Sequence, residues 1–196
     1  MLFQKSVELP TADTALPGRS EPLRTDEVHY VNGRPLKGPH PEGFQTAIFG
    51  MGCYWGVERL FWQQNGVWLT QVGFAGGTVE NPTYDQVKTG TTGHAEVIQI
   101  AYDPTVISYE DLLEVFFTTH DPTTPNRQGN DVGSQYRSLI MAFNDSQLSA
   151  AEASKIDYDN RLAVAGFGKI TTQIVPAGPF WPAHEAHQQY LEKNPD

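Results

Sequence analysis

The sequence has a single cysteine, Cys53, among its 196 residues. One cysteine excludes a disulfide within the chain and a metal site built from several cysteines. Cys53 therefore acts alone in this chain or together with a thiol from another molecule.

Basic residues are also scarce: 13 Lys and Arg stand against 23 Asp and Glu, for a formal net charge of −10. Nucleic-acid-binding proteins neutralise phosphates with clustered Lys and Arg, so we expect no nucleic-acid partner. The same balance argues against an anionic membrane surface, and no apolar run approaches the roughly 20 residues that span a bilayer. The N-terminus has no apolar stretch of signal-peptide length, so we expect a cytoplasmic location.

Residues 1–43 contain six of the 14 prolines and no sustained apolar periodicity. This composition is typical of an extended segment, and we predict an N-terminal arm packed on a single domain at residues 44–196. Hydrophobic residues make up 39% of the chain, which is ordinary for a globular protein with a sizeable core.

Apolar periodicity and turn residues predict an irregular mixture of strands and helices in this domain. Long loops rich in Gly and Pro are expected at 75–93 and 119–135. This pattern favours an α+β fold with a mixed sheet over a doubly wound parallel sheet. The predicted strands lie at 44–50, 67–74, 94–102, 136–143 and 169–175, and the predicted helices at 53–65, 108–118, 144–162 and 182–192.

The segment GCYWG at residues 52–56 is the strongest local signal. It places Cys53 between a strand and the first turn of a helix, where free backbone N–H groups and the helix dipole stabilise a thiolate. We therefore expect the pKa of the Cys53 thiol to be lowered. Tyr54 and Trp55 suit the wall of a small apolar pocket. The alternative is a buried structural cysteine, since free cysteine is among the most buried residue types.

The segment GHAEVIQIAYDP predicts a strand on which Glu96 shares a face with Ile98 and Ile100. A carboxyl among large aliphatic side chains has a raised pKa and can act as a general acid near neutral pH. The alternative places Glu96 at the edge of the sheet, where it reaches water or pairs with Arg.

Two further polar segments are candidates. The loop at 127–138 offers Asp131 and Tyr136 as hydrogen-bonding groups. In the predicted last helix, His184, His187 and Tyr190 recur every three residues along one face. This spacing is not the HExxH zinc pattern and no third ligand is evident, so no metal is expected.

Four motifs together resemble the peptide methionine sulfoxide reductases of class A: GCYWG, GGTVENPTYDQVKTGTTGHAEVIQIAYDP, GNDVGSQYRS and EAHQQYLEKNP. The resemblance covers residues 44–195. The family usually has Phe where this chain has Tyr54, so the pocket would contain an added hydroxyl that needs a partner. The resemblance implies a two-layer α+β sandwich around a mixed sheet, with a ferredoxin-like core and long coil segments.

The resemblance also implies roles. Cys53 matches the nucleophile and Glu96 the acid, while Tyr84 and Tyr136 match the hydroxyls that hold the sulfoxide oxygen. Asp131 matches a carboxylate that orients the same oxygen. The residues that match the substrate pocket or its border are Tyr54, Trp55, His187 and Tyr190.

The implied reaction is reduction of methionine-(S)-sulfoxide to methionine, in proteins and possibly free, without metal or organic cofactor. Cys53 becomes a sulfenic acid, the first step of cysteine oxidation. Most relatives continue into a tail with resolving cysteines. This chain is then either a natural one-cysteine enzyme or a shortened version that lacks the tail, and we favour the shortened version. Regeneration then requires an external thiol: thioredoxin, a glutaredoxin or a low-molecular-weight thiol.

Other functions stay open on the residues alone. The chief alternative is a cysteine hydrolase with Cys53 as nucleophile and His94 or His187 as base. A peptide-binding module with an incidental cysteine and a peroxide-reducing thiol enzyme are further alternatives.

Overall fold

The computed structural model describes residues 8–11 and 13–195, and within them six strands form one mixed sheet. Two further short strands pair with each other outside it. Numbered in chain order, the strands are β1 (Gln45–Met51), β2 (Val67–Ala75), β3 (Ala95–Tyr102), β4 (Arg127–Gln128), β5 (Asp131–Val132), β6 (Ser138–Ala142), β7 (Gln173–Pro176) and β8 (Phe180–Pro182).

Helices connect most of these strands. They are α1 (Tyr54–Trp62), α2 (Tyr84–Lys88), α3 (Tyr109–Thr119), α4 (Asp145–Val164) and α5 (Tyr190–Lys193), with 3-10 turns at Ser134–Tyr136 and Glu185–His187. In the described ranges, no helix combines the length and apolar character needed to cross a bilayer.

The order of strands in the large sheet is β7-β6-β1-β3-β2-β8. Only β6 and β7 run parallel, and every other neighbouring pair is antiparallel. A mixed sheet combined with helices confirms the predicted α+β fold. The ferredoxin-like description of its core stays a prediction.

The main core lies between this sheet and the helices α1 and α3. Phe49 of β1 contacts Phe61 of α1 and Phe116 of α3, with ring centroids 5.7 and 5.2 Å apart. All three rings are fully buried, and each such burial stabilises the fold by about 2 kcal/mol. Because β1 is also paired with β3 on one side and with β6 on the other, the turn that follows it has a rigid support.

The predicted helix starts at Ser108 and Asn144 are confirmed. The Ser108 hydroxyl accepts the Asp111 N–H at 3.0 Å, and the Asp111 carboxylate accepts the Ser108 N–H at 2.9 Å. The Asn144 side chain accepts the Gln147 N–H at 2.9 Å. Each cap satisfies backbone donors that the first helical turn leaves free.

The predictions for the last part of the chain are wrong in detail. The strand expected at 169–175 begins only at Gln173, and it is not the last strand because β8 follows. The helix expected at 182–192 is instead a strand end, a 3-10 turn and the short α5. Gln189 interrupts it with φ 47, a left-handed conformation that no continuous α-helix contains.

Two other expectations need smaller corrections. The loop predicted at 75–93 contains α2, and the loop predicted at 119–135 contains β4 and β5. The strand expected from residue 136 begins at Ser138, because Tyr136 ends a 3-10 turn. These elements are too short for a hydrophobic period to mark them.

Part of the predicted N-terminal arm contacts the sheet. Leu36 is buried against Leu69 and Ala101, and His29 Nε2 lies 2.9 Å from the Thr70 hydroxyl. The division into an arm at 1–43 and a domain at 44–196 stays a prediction, and residues 1–7, 12 and 196 lie outside the described residues.

Candidate active site

Cys53 lies in the tight turn between β1 and α1, where it is the N-cap residue of the helix. Gly52 before it has φ +90, and a Cβ there would lie 2.6 Å from Cβ of Gln128. Only glycine combines this backbone conformation with such a close approach. The turn leaves Cys53 half-buried, so its sulfur can meet a substrate at the end of the sheet.

The pKa of Cys53 is raised to about 11, first by burial and then by the charge of Glu96. This result corrects the expected lowering. The Trp55 backbone N–H does donate to the thiol and lowers its pKa, as a helix start should, but burial and the two nearby carboxyls, Glu96 and Asp131, outweigh it. The resting site therefore holds a thiol at neutral pH.

Glu96 lies on β3, in the interior of the sheet, and is only 2% exposed. Burial raises its pKa to about 8, against a smaller opposing effect of the Tyr54 N–H, which donates to Oε2 at 3.1 Å. The predicted rise is confirmed, and the sheet-edge alternative is wrong. Because Oε2 accepts an N–H, Oε1 is the oxygen that can carry the proton of the neutral acid.

Tyr84 and Tyr136 come from separate elements and lie in the electrostatic range of Glu96 and Cys53. Tyr84 begins α2, whose start is fixed by a capping box between Thr83 and Gln86. Burial raises the pKa of Tyr84 to about 12 and raises that of Tyr136 further. Both hydroxyls therefore keep their protons and can donate hydrogen bonds.

Asp131 belongs to the exposed β4–β5 pair, where it is opposite Gln128. Its negative charge contributes to the raised pKa of both Cys53 and Glu96. The structure thus brings this predicted residue within electrostatic reach of the thiol and the acid.

The predicted aromatic residues form one cluster beside Cys53. The ring of Trp55 stacks on Tyr190 at 3.9 Å, and its Nε1 donates to Nδ1 of His187 at 3.2 Å. His187 also contacts Tyr84, with ring centroids 4.4 Å apart, and Tyr54 at 5.9 Å. His187 and Tyr190 therefore meet the pocket through a turn and not along the predicted helix face.

Tyr54 is 1% exposed, and its ring packs on Phe74 at 5.9 Å. Its hydroxyl is buried and has no hydrogen-bond partner among the described residues. The partner expected for this hydroxyl is therefore absent in the described part of the chain.

Arg137 is a buried side chain near the site that the sequence patterns did not indicate. It is 4% exposed, and its guanidinium donates to the carbonyls of Ser134 at 2.8 Å and Gly93 at 3.0 Å. These bonds join the turn that carries Tyr136 to the segment that leads into Glu96. The adjacency of Arg137 to Tyr136 was visible in the sequence, but its burial was not.

The two histidines proposed as hydrolytic bases are engaged elsewhere. Nδ1 of the buried His94 accepts the Gly77 N–H at 3.1 Å, which leaves Nε2 to donate to the Val79 carbonyl at 2.7 Å. Nδ1 of His187 accepts from Trp55, and no histidine is among the groups that perturb Cys53. The hydrolase alternative is therefore not supported.

Within residues 8–11 and 13–195, no group of three or more His, Cys, Asp or Glu side chains could hold a metal ion. The candidate residues instead supply a thiol, a neutral carboxylic acid, two protonated phenols and an aromatic wall. Such a set can attack an electrophilic sulfur and protonate an oxygen bound to it.

Comparisons with known proteins agree with this chemistry. Peptide methionine sulfoxide reductase MsrA 1 of Caulobacter vibrioides is 55% identical over 194 residues, which are 99% of this chain and 89% of that protein. Methionine sulfoxide reductase A of Corynebacterium diphtheriae superposes with a TM-score of 0.90 at 43% identity, covering 96% of this chain and 92% of that one.

A structure of Mxr1 from Saccharomyces cerevisiae in complex with Trx2 is similar at a TM-score of 0.55 and 25% identity, over 79% of this chain and 90% of that chain. The family profile described as peptide methionine sulfoxide reductase matches residues 45–196. On this agreement of sequence and structure, the chain belongs to the peptide methionine sulfoxide reductase family.

Proposed function

We propose that Cys53 reduces methionine-(S)-sulfoxide to methionine, in proteins and possibly as the free amino acid, with Glu96 as the acid. The observation that carries this proposal is that the thiol of Cys53 lies near a buried, neutral carboxylic acid, Glu96. The Tyr54 N–H, next to Cys53, donates to Glu96 Oε2 at 3.1 Å. An acid whose pKa is about 8 still holds its proton at neutral pH.

In the proposed step the sulfur of Cys53 attacks the sulfoxide sulfur while Glu96 protonates the sulfoxide oxygen. The S–O bond to methionine breaks, and the oxygen is transferred to Cys53 as a sulfenic acid. The thiol proton replaces the proton that Glu96 gives up. Methionine gains two electrons and Cys53 loses two, so the step is balanced without a metal or an organic cofactor.

The remaining residues have supporting roles in this proposal. Tyr84 and Tyr136 donate hydrogen bonds to the sulfoxide oxygen, since the raised pKa of each phenol keeps its proton in place. Asp131 orients the same group. Tyr54 and Trp55 receive the methyl group, with His187 and Tyr190 closing the pocket around the ring of Trp55.

Thioredoxin is the reductant that we favour, with a glutaredoxin or a low-molecular-weight thiol as the other candidates. The complex of Mxr1 with thioredoxin Trx2 supports this choice. Two external thiol groups convert the sulfenic acid to the thiol, with one disulfide and one water as products. This step needs a supply of reduced thiol, which is consistent with a cytoplasmic location.

Mass spectrometry after one turnover tests the proposal. The reduced protein is mixed with methionine sulfoxide in the absence of any other reductant, and methionine is measured alongside the protein mass. We expect a gain of one oxygen on Cys53 and one methionine per protein, with neither product from Cys53→Ser. An unmodified Cys53 after complete reaction would refute the mechanism.

A further inference from the structure

Glu58 is a buried carboxyl close to the candidate site, and the proposed mechanism does not use it. It lies on α1, one helical turn after Tyr54, and is 0% exposed. No salt bridge involves it in the described part of the chain. A carboxyl buried without a salt-bridge partner needs several hydrogen-bond donors, so the identity of its donors indicates what it holds in place.

Two of the three donors to Glu58 belong to Gln189. The Gln189 backbone N–H donates to Oε2 at 2.7 Å, and the Gln189 side-chain amide donates to Oε1 at 2.6 Å. Gln189 is itself fully buried and far away in the sequence. The Glu58 carboxyl therefore binds both the main chain and the side chain of Gln189.

Gln189 has φ 47 and ψ 42, in the left-handed region that residues other than glycine rarely adopt. This conformation turns the chain between His187 and Tyr190. The two residues thereby reach Trp55 from different directions, one by a hydrogen bond and the other by a stacked ring. A disfavoured backbone conformation persists only where surrounding contacts hold it, and the bonds to Glu58 are such contacts.

A chain of hydrogen bonds orients the third donor. Nδ1 of His29 accepts the Val31 N–H at 3.3 Å, so Nε2 of His29 carries the proton and donates to the Thr70 hydroxyl at 2.9 Å. The Thr70 hydroxyl then donates to Oε1 of Glu58 at 3.2 Å. All three groups around Glu58 are consequently donors, which is the arrangement that suits a carboxylate acceptor and not an amide.

We propose that Glu58 is a positioning residue: it holds Gln189 in the left-handed turn and so keeps His187 and Tyr190 against Trp55 in the substrate pocket. The inference rests on the proposed function, since the pocket is the one assigned to the methyl group of methionine sulfoxide. Glu58 does not touch the substrate. Its effect passes through Gln189 to the aromatic cluster.

Glu58→Gln tests the proposal because it keeps the size of the side chain but turns one acceptor into a donor. Whichever way the amide is oriented, its NH2 faces a donor that the carboxylate accepted. We expect KM for methionine sulfoxide to rise about tenfold while kcat changes little, since Cys53 and Glu96 are untouched. Glu152→Gln, an exposed change on α4, is the matched control and leaves both constants unchanged.

A rescue experiment separates positioning from a general structural role. In Glu58→Gln, the additional change Gln189→Gly removes the conformational cost of the left-handed turn, because glycine adopts this conformation readily. We expect the double variant to recover most of the lost affinity. If instead it is as weak as Glu58→Gln or weaker, Glu58 does not act through the Gln189 turn and the proposal is wrong.

Near-ultraviolet circular dichroism provides a readout that needs no turnover. Glu58→Gln should alter the aromatic signal of the Trp55–Tyr190 stack. The additional change Gln189→Gly, in the double variant, should restore this signal. Gln189→Ala keeps the backbone bond to Glu58 but loses both side-chain bonds of Gln189, the one it donates to Glu58 and the one it accepts from the Tyr30 N–H. It serves if Glu58→Gln fails to fold, and it should change the same signal in the same direction. An unchanged signal in these variants overturns the inference. Wild-type protein that turns over no sulfoxide contradicts the proposed function, whatever these spectra show.

Discussion

In the proposed mechanism, Glu96 protonates the sulfoxide oxygen, and it is the only proton donor to that oxygen whose pKa lies near neutrality. Replacing Glu96 with Gln removes this donor. A Gln side chain has the same shape and can still accept the Tyr54 N–H with its oxygen. It cannot release a proton at any accessible pH. Loss of a positioned general acid costs typically 10²–10⁴-fold in rate, and we expect kcat/KM of Glu96→Gln to fall in this range.

The pH dependence of the wild-type enzyme follows from the same group. The acid form of Glu96 is lost as pH rises through its pKa of about 8, so kcat/KM should decline above that pH. Glu96→Gln has no acid to lose, and its small residual activity should lack this decline. Steady-state assays with methionine sulfoxide and a thiol reductant, across about pH 6.5 to 9.5, measure both profiles.

In Glu96→Gln, the reactivity of the Cys53 thiol should rise while the turnover rate falls. The charge of Glu96 is the second-largest cause of the raised pKa of Cys53. Without it the thiolate forms more readily, so the midpoint for alkylation of Cys53 by iodoacetamide should move to lower pH in Glu96→Gln. A more reactive thiol with much lower turnover separates the acid from the nucleophile.

The stability of Glu96→Gln shows whether a loss of activity comes from unfolding. A rise of the Glu96 pKa from 4.5 to about 8 on folding means that its ionisation costs the native state on the order of 5 kcal/mol. The cost begins as pH rises above 4.5, the value for the unfolded chain, and is complete above about 8. Glu96→Gln should therefore be more stable than wild type at alkaline pH. Full activity in this variant, or an alkylation midpoint that does not move, would refute the assignment of Glu96.

The remaining predictions concern the two phenols and a helix cap. Tyr84→Phe and Tyr136→Phe each remove one hydrogen-bond donor to the sulfoxide oxygen and should lower kcat/KM by about tenfold, measured in the same assay; equal activity to wild type would exclude that role. Ser108→Ala removes the hydroxyl that accepts the Asp111 N–H at 3.0 Å, and should lower the free energy of unfolding by about 1 kcal/mol in urea titrations without changing turnover; a loss of activity would contradict this purely structural role.

Local patterns in the sequence were sufficient for the elements of the core. The strand at β3 and the helix start at Ser108 follow from short-range alternation and from a capping box, both of which act within a few residues. The same alternation placed Glu96 on an apolar face, which is why the direction of its pKa could be predicted. The conformation of 182–192 could not be predicted, because the long-range bonds that Gln189 donates to Glu58 override the local helical period.

The protonation of Cys53 depends both on local sequence and on tertiary structure, and the two act in opposite directions. The sequence by itself determined that this lone cysteine follows a strand, starts a helix and belongs to a family that reduces methionine sulfoxide. The local helix start lowers the thiol pKa, as its pattern predicts. Only the tertiary structure brought Glu96 and Asp131 near it and buried it, and these effects together raise the pKa to about 11. Burial and charge depend on residues far apart in the chain, so no local pattern could have specified them.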